Sequence, residues 1–344
     1  MKSKIILLLD SMGRYPQKLH ETEGLDINKL TNHLNMMGFE LYKMTYNDFL
    51  SDISNIDCSQ YLFLYASSQY EAYKDYMEDI LLYIVRNGGK IIPNFHLFKS
   101  HENKSYQELY KVQEKISSPN FNIIGTYEEG VEVLSKTKFP IIGKTVNGFG
   151  SKGVVQINSI KEGKRFLKKN LFSGIDFNAN GLRVLGRRLK YKKQYPKKWG
   201  KLVFQEKIND VNHDWKILVF GDLFFCLKRS VRKNDFRASG SGIFDFNAIP
   251  PDNILKFADE IRDRLDTPWA SLDIIIQGDD CYLIEYQALH FGLATLINNK
   301  FYYKFDNNTK TWIRCTKDSE SEYYFSVALK QYLSNNVNRT VRDR

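Results

Sequence analysis

The sequence predicts an α/β fold: a first domain with a mainly parallel sheet, then a small α+β subdomain, then a region of long successive strands. Three observations carry this. Over the first hundred residues, short apolar runs alternate with amphipathic segments such as "INKLTNHLNMMG" (27–38), the pattern of strands joined by crossover helices. A glycine-rich loop, "VNGFGSKG" (146–153), separates two apolar runs. From Lys201 onward, the runs "KLVFQEKI", "WKILVFG" and "LFFCLKRSV" follow one another without helices between them.

"KIILLLD" opens as a buried strand, because five apolar residues ending at Asp10 are too few for a secretory core or a membrane span. The helix at 27–38 closes on Gly38, and the strands "FELYKM" and "YLFLYAS" follow. A long helix, "EAYKDYMEDILLYIVRNGG", closes on a glycine pair and leads into the strand "KIIPNF", so the first domain is expected to span 1–101. "SYQELYKVQEKI" reads as a helix; "NIIGTYEEGVEVLSK", "FPIIGKT", "GVVQI" and "IKEGKRFLKKN" then give strand, helix and hairpin again. Farther on, "PDNILKFADEIRDRL" is a helix, and "SLDIIIQ" and "CYLIEYQ" form a strand pair turning at Gly278, Asp279 and Asp280. The end, "SNNVNRTVRDR" (334–344), reads as a frayed polar tail.

In 344 residues, 42% hydrophobic and 14% aromatic content is ample for folded cores. Cys58, Cys226, Cys281 and Cys315 lie far apart without paired spacing, so neither a zinc site nor a disulfide framework is expected, and a reducing cytoplasm fits. The formal charge of +10, from 50 basic against 40 acidic residues, favours an anionic partner. The densest basic stretch, "RRLKYKKQYPKKWGK" (187–201), has no nucleic-acid motif beside it. It reads as a solvated loop, or as a lid whose lysines meet an anionic substrate, and nucleic acid is not the expected partner.

The glycine loop matches neither the Walker A pattern nor the dinucleotide fingerprint. It suits a plain hairpin, since glycine supplies positive φ, and equally a phosphate cradle, since bare backbone N–H groups beside Lys144 bind anions. In the strand pair, Asp273 and Glu285 are expected side by side, with Gln287 on the same face as Glu285. Such oxygen ligands suit Mg²⁺ on nucleotide phosphates. Arg229, near a strand end, and Arg237, before the loop "ASGSG", could grip phosphate or carboxylate. In "VFQEKI", Glu206 sits between apolar residues at the boundary between the small subdomain and the body, where a strand backbone could read adenine while the carboxylate meets an amine or ribose hydroxyl.

Taken in order, "ENKSYQEL", "FPIIGKTVNGFGSKGVV", "LVFQEKI", "HDWKILVFGDLFFCLKRSV", "FRASGSG" and "LDIIIQGDDCYLIEYQ" resemble the ATP-grasp ligases, particularly the carboxylate–amine branch that includes ribosomal protein S6 modification enzymes and D-alanine–D-alanine ligases. The resemblance covers about residues 100–295 and implies an ATP-grasp domain over 102–333, two α+β subdomains holding ATP, with a lid at about 126–205 and its glycine loop at 147–153. It implies that Lys104 and Lys144 bind the ATP phosphates while Phe149, Gly150 and Ser151 close over them. Glu206, Lys207 and Ile208 would line the adenine, Asp214 the ribose and Ile284 the underside of the base. Asp273, Glu285 and Gln287 would hold Mg²⁺, with Mn²⁺ as the alternative ion, and Arg229 and Arg237 would hold phosphate and the acyl intermediate. The chain departs from the family at Gln287, where asparagine is common, at "ALHFG", which places His290 among the substrate contacts, and at "FRASGSG", where close relatives carry an arginine–asparagine pattern.

The reaction so implied moves the γ-phosphoryl of ATP to a carboxylate and lets an amine attack the acyl phosphate. The expected acceptor is anionic, such as a uronic acid of a surface polysaccharide or a peptide, with a separate amine donor. A kinase on the same scaffold and a nucleotide- or nucleic-acid-binding module without turnover are the alternatives. A homodimer stays open, and the wealth of lysine, asparagine, isoleucine and tyrosine suggests an AT-rich bacterial source.

Overall fold

The computed structural model describes residues 3–15, 24–146, 153–172, 198–209, 211–233 and 235–342, with side chains as far as residue 335. The first domain runs β1 (Lys4–Leu9), α1 (Ile27–Met36), β2 (Glu40–Thr45), α2 (Tyr46–Ser51), β3 (Leu62–Tyr65), α3 (Glu71–Arg86), β4 (Lys90–Ile92) and α4 (Phe95–Ser100). Its four strands are all parallel, in the order β2-β1-β3-β4. The central β1 is apolar throughout "IILLL" because both of its faces are covered. Asp26 starts α1 by accepting from the amides of Asn28 and Lys29, and Thr45 and Asp48 form a reciprocal capping box on α2.

Helix α5 (Lys104–Gln113) leads into a second sheet built from β5 (Phe121–Thr126), β6 (Ile141–Thr145), β7 (Val154–Ile157) and β8 (Trp199–Glu206). Its order is β5-β8-β6-β7, antiparallel throughout. Helices α6 (Tyr127–Lys136) and α7 (Ile160–Asn170) pack on it around Ile124, Leu134, Phe166, Leu167 and Phe204. The two helices meet through glycines. A Cβ at Gly130 would lie 2.6 Å from Leu167, and one at Gly163 would lie 2.5 Å from Leu134. Strands β6 and β7 pair as the expected hairpin, whereas the glycine loop between them, with Phe149, Gly150 and Ser151, lies outside the described residues, as does 187–197 of the basic segment.

The third unit contains β9 (His213–Phe220), β10 (Leu223–Ser230), β11 (Phe244–Asp245), α8 (Asp252–Leu265), β12 (Trp269–Gln277), β13 (Asp280–Gln287), α9 (Ala294–Asn298), β14 (Phe301–Asp306), β15 (Thr311–Thr316) and α10 (Ser321–Arg342). The strands form one antiparallel sheet in the order β13-β12-β9-β10-β14-β15, with β11 beside β10. The β14–β15 hairpin and α10 were not expected from the sequence. Where a frayed tail is expected at 334–344, the helix runs on to Arg342. Its first turns fix it: Tyr324, Phe325, Ala328 and Leu329 recur at helical spacing and are all buried. They enter a core shared with α1, β1 and β3, so the first domain and the third unit are packed around common residues. No helix among the described residues is long and apolar enough to cross a membrane.

Candidate functional site

Between the second sheet and the third unit lies a cleft of about 620 Å³. The 13 described residues singled out from the sequence all line it. Ile142 and Lys144 hang from β6 two residues apart and so share a face, and Lys104 enters from the start of α5. Glu206, Lys207 and Ile208 form the wall where β8 leaves the second sheet. Asp214, Arg229, Asp273, Ile284, Glu285 and Gln287 make the floor. Arg237 and His290 line the cleft too, as does Gln69, which follows β3 of the first domain.

The floor is organised by one guanidinium. Arg229 donates to both oxygens of Asp214, at 2.7 and 2.8 Å, and lies 2.9 Å from Asp273 Oδ2. Adjacent strands supply the three, since Asp214 faces Arg229 across β9 and β10 and β12 pairs with β9 on its other edge. Burial works against the guanidinium charge, but the two carboxylates more than offset it and hold its pKa far above the ordinary value. Burial pushes Asp214 up to about 6 despite Arg229. At Asp273 burial is overcome by the charges of Arg229 and Lys216, and its pKa is lowered. Asp214, expected at the ribose, accepts from Arg229 with both oxygens and so holds the arginine in place. Strand β12 starts at Trp269 and carries Asp273 in its middle.

Asp273 and Glu285 are register partners across β12 and β13, as expected. Immediately beyond them the ladder steps to Ile274↔Leu283, which leaves Ile284 unpaired as a bulge. A regular strand would send Ile284 and Glu285 to opposite faces; here both reach the cleft. Asp273 Oδ1 and Gln287 Oε1 are buried without a hydrogen-bond partner among the described residues. Unpaired buried acceptors are costly, and a cation between them would satisfy both. Among the described residues, no three His, Cys, Asp or Glu side chains are grouped so that they alone could hold a metal ion. The side chains expected at the metal, Asp273, Glu285 and Gln287, offer two carboxylates and an amide oxygen, donors that suit Mg²⁺ or Mn²⁺ better than a thiolate- or imidazole-seeking metal.

The roof is cationic. Lys144 is 5% exposed, and burial pushes its ammonium from 10.5 down to about 8. Lys104 is also 5% exposed. At the far end, Arg237 is held by both oxygens of Asp235, whose own pKa falls to about 2, chiefly through that bond. His290 sits 6.3 Å from His101, which is bonded through Nδ1 to Ser67 Oγ at 2.9 Å. One oxygen of Glu206 is held by Asn120 Nδ2 at 2.7 Å.

Sequence reasoning missed several contributors. Lys216, bonded to Ser271 Oγ at 2.7 Å and 3.6 Å from Asp273 Oδ1, breaks an apolar strand at i+2 from Asp214; that interruption is the same signal that marked Asp273. Ile142 was hidden as one apolar residue in an apolar strand. Glu108 and Lys111, three apart on α5, are both buried and 2.7 Å apart, and nothing in "SYQELYKV" sets them apart from an ordinary exposed helix pair.

No protein-family model matches the sequence, and no curated protein is similar to it. Solved structures are. The D-alanine–D-alanine ligase of Bacillus anthracis complexed with ATP superposes with a TM-score of 0.52 at 13% identity, covering 100% of both chains. The ATP-grasp RimK domain protein of Sphaerobacter thermophilus gives 0.52 at 11% identity over 96% of this chain and 100% of that one. An ATP-grasp ligase associated with ribosomally made peptides from Chryseobacterium gregarium, in complex with ADP and a leader and core peptide, gives 0.53 at 12% identity over 97% of each chain. At such identities the likeness is one of architecture, and it agrees with the cleft formed between two antiparallel sheets: the chain has the ATP-grasp fold.

Proposed function

We propose that this protein is an ATP-dependent carboxylate–amine ligase working through an acyl phosphate. The observation that carries the reading is the make-up of a single cleft, in which buried lysines face an all-oxygen donor set with two unsatisfied acceptors. The similarity to ligases described with ATP or ADP supports the nucleotide. Ile142 and Ile284 would enclose the adenine, with the backbone of 206–208 along its edge and the free oxygen of Glu206 toward the ribose. Lys104 and Lys144 would bind the phosphates, and Phe149, Gly150 and Ser151 would cover them. Asp273, Glu285 and Gln287 would hold Mg²⁺ or Mn²⁺, which when bound supplies neutralisation of phosphate charge.

In the first step a substrate carboxylate oxygen attacks the γ-phosphorus, the bond to the β-phosphate oxygen breaks, and ADP leaves. The amine then attacks the acyl carbon; a C–N bond forms, the C–O bond to phosphate breaks, and the amine proton leaves with the phosphate. Arg229, locked by two carboxylates, and Arg237, held by Asp235, would stabilise the charge developing on the transferred group and on the acyl oxygen without reorganising. His290, in the lining of the same cleft, would meet the incoming amine. The cationic end of the cleft and the net charge of +10 support an anionic acceptor, a carboxylate of a sugar or peptide.

The test is ADP release from Mg-ATP with pools of carboxylic acids crossed with pools of amines, and Glu285→Ala as control. Release that needs both pools and disappears in the control is the expected result. ADP formed with a hydroxyl compound alone, giving a phosphorylated product, would replace the ligase by a kinase.

A further inference from the structure

Lys111 has no exposed surface and lies under the cleft floor, not in its lining. An ammonium has three donors; this one donates to the carbonyls of Leu283 and Ile284 at 3.1 and 3.4 Å and is ion-paired with Glu108 Oε2 at 2.7 Å. Those carbonyls belong to the bulge. A bulged residue is left out of the strand ladder, and its backbone groups need partners elsewhere. The second oxygen of Glu108 accepts from Gln205 Nε2 at 3.1 Å, and Gln205 lies in β8 next to the 206–208 wall. A buried ion pair is seldom a net source of stability, since apolar replacements of equal size serve as well or better. Its arrangement here points to another use.

We propose that Lys111 is the positioning residue of the cleft floor. By holding the carbonyls of Leu283 and Ile284 it fixes the bulge that turns two successive side chains, Ile284 and Glu285, into the cleft. Through Glu108 and Gln205 the same ammonium ties that floor to the strand that carries the adenine wall. The consequence for metal and nucleotide rests on the ligase reading above; the consequence for the bulge does not.

The experiment compares the full-length protein with Lys111→Met/Glu108→Gln, which removes both charges together, and with Glu108→Gln alone, which keeps the ammonium on the carbonyls. Hydrogen exchange is followed over 281–288, and ADP is titrated calorimetrically with Mg²⁺ and with EDTA. In the double variant, exchange over 281–288 is expected to quicken by about tenfold as the bulge loosens. ADP affinity with Mg²⁺ is expected to fall by about 10–100-fold, as when a group supporting a metal ligand is lost, with a smaller change in EDTA. Glu108→Gln is expected to keep wild-type exchange. Unchanged exchange in the folded double variant, or equal loosening in Glu108→Gln, overturns the proposal. If the wild type binds no ADP, the ligase reading falls while the exchange result still decides the role of Lys111. Should the double variant not fold, Lys111→Gln/Glu108→Gln, whose shorter amide does not span both carbonyls, is read by the same criteria.

Discussion

Arg229 shows how far a single residue sets the electrostatics of the cleft. It separates Asp214 from Asp273, and without it two buried carboxylates would face each other with Lys216 as the nearest cation, 3.6 Å from Asp273. Arg229→Met is therefore expected to destabilise the protein by about 3–5 kcal/mol, the usual result of removing one partner from a buried pair, read from urea unfolding. Lys144 gives a pH signature. Its pKa is lowered from 10.5 to about 8, so below pH 8 it is charged in both the folded and unfolded chains. Between those values the unfolded chain holds the extra proton, and this residue's contribution to stability improves as pH rises. Phosphate binding runs the other way, because the folded protein loses the charge it needs. ADP affinity is expected to fall from pH 7.5 to 9.5, and Lys144→Met, weaker by about 2 kcal/mol at pH 7, to show a flatter profile by calorimetry. These residues were legible in the sequence because each puts a charge inside an apolar strand. What was not legible is commitment: nothing in "HDWK" says that Asp214 spends both oxygens on Arg229.

At the scale of elements, the alternation of apolar runs and amphipathic helices was enough to read the first domain, and the strand pair 271–287 placed Asp273 opposite Glu285. The bulge was not readable, since a run such as "YLIEYQ" looks the same with or without an extra residue in the ladder. Strands β14 and β15 were missed because their burial does not alternate cleanly, and α10 because its polar second half masks the apolar spacing of its first. The helix pair on the second sheet offers a sharp test. Each helix places a glycine under a leucine of the other, so Gly130→Ala or Gly163→Ala must push a leucine aside. Overpacking of this kind costs about 1–3 kcal/mol. Faster hydrogen exchange confined to 121–172 and 198–206 is the expected result, with the first domain unchanged.

Over the whole molecule, the cores divide differently from the sequence segments. The second sheet has its own small core, while the first domain and the third unit share theirs. Phe325 of α10 lies among third-unit rings, with centroids 4.8 Å from Trp269, 4.9 Å from Phe220 and 6.3 Å from Phe291, and borders the same small hollow as Leu30, Leu34 and Leu64 of the first domain. Phe325→Ala is expected to cost about 3–5 kcal/mol and to lower the unfolding midpoint of both parts together, seen as one shifted transition in fluorescence. Helix α10 also reaches into the first domain: Glu322 accepts from the amide of Asp26 at 2.8 Å, at the start of α1. A ribosome releases residues in order, so α1 emerges long before the helix that covers it. Until α10 has been made, the first domain carries an uncovered apolar face, a surface open to non-native association during synthesis.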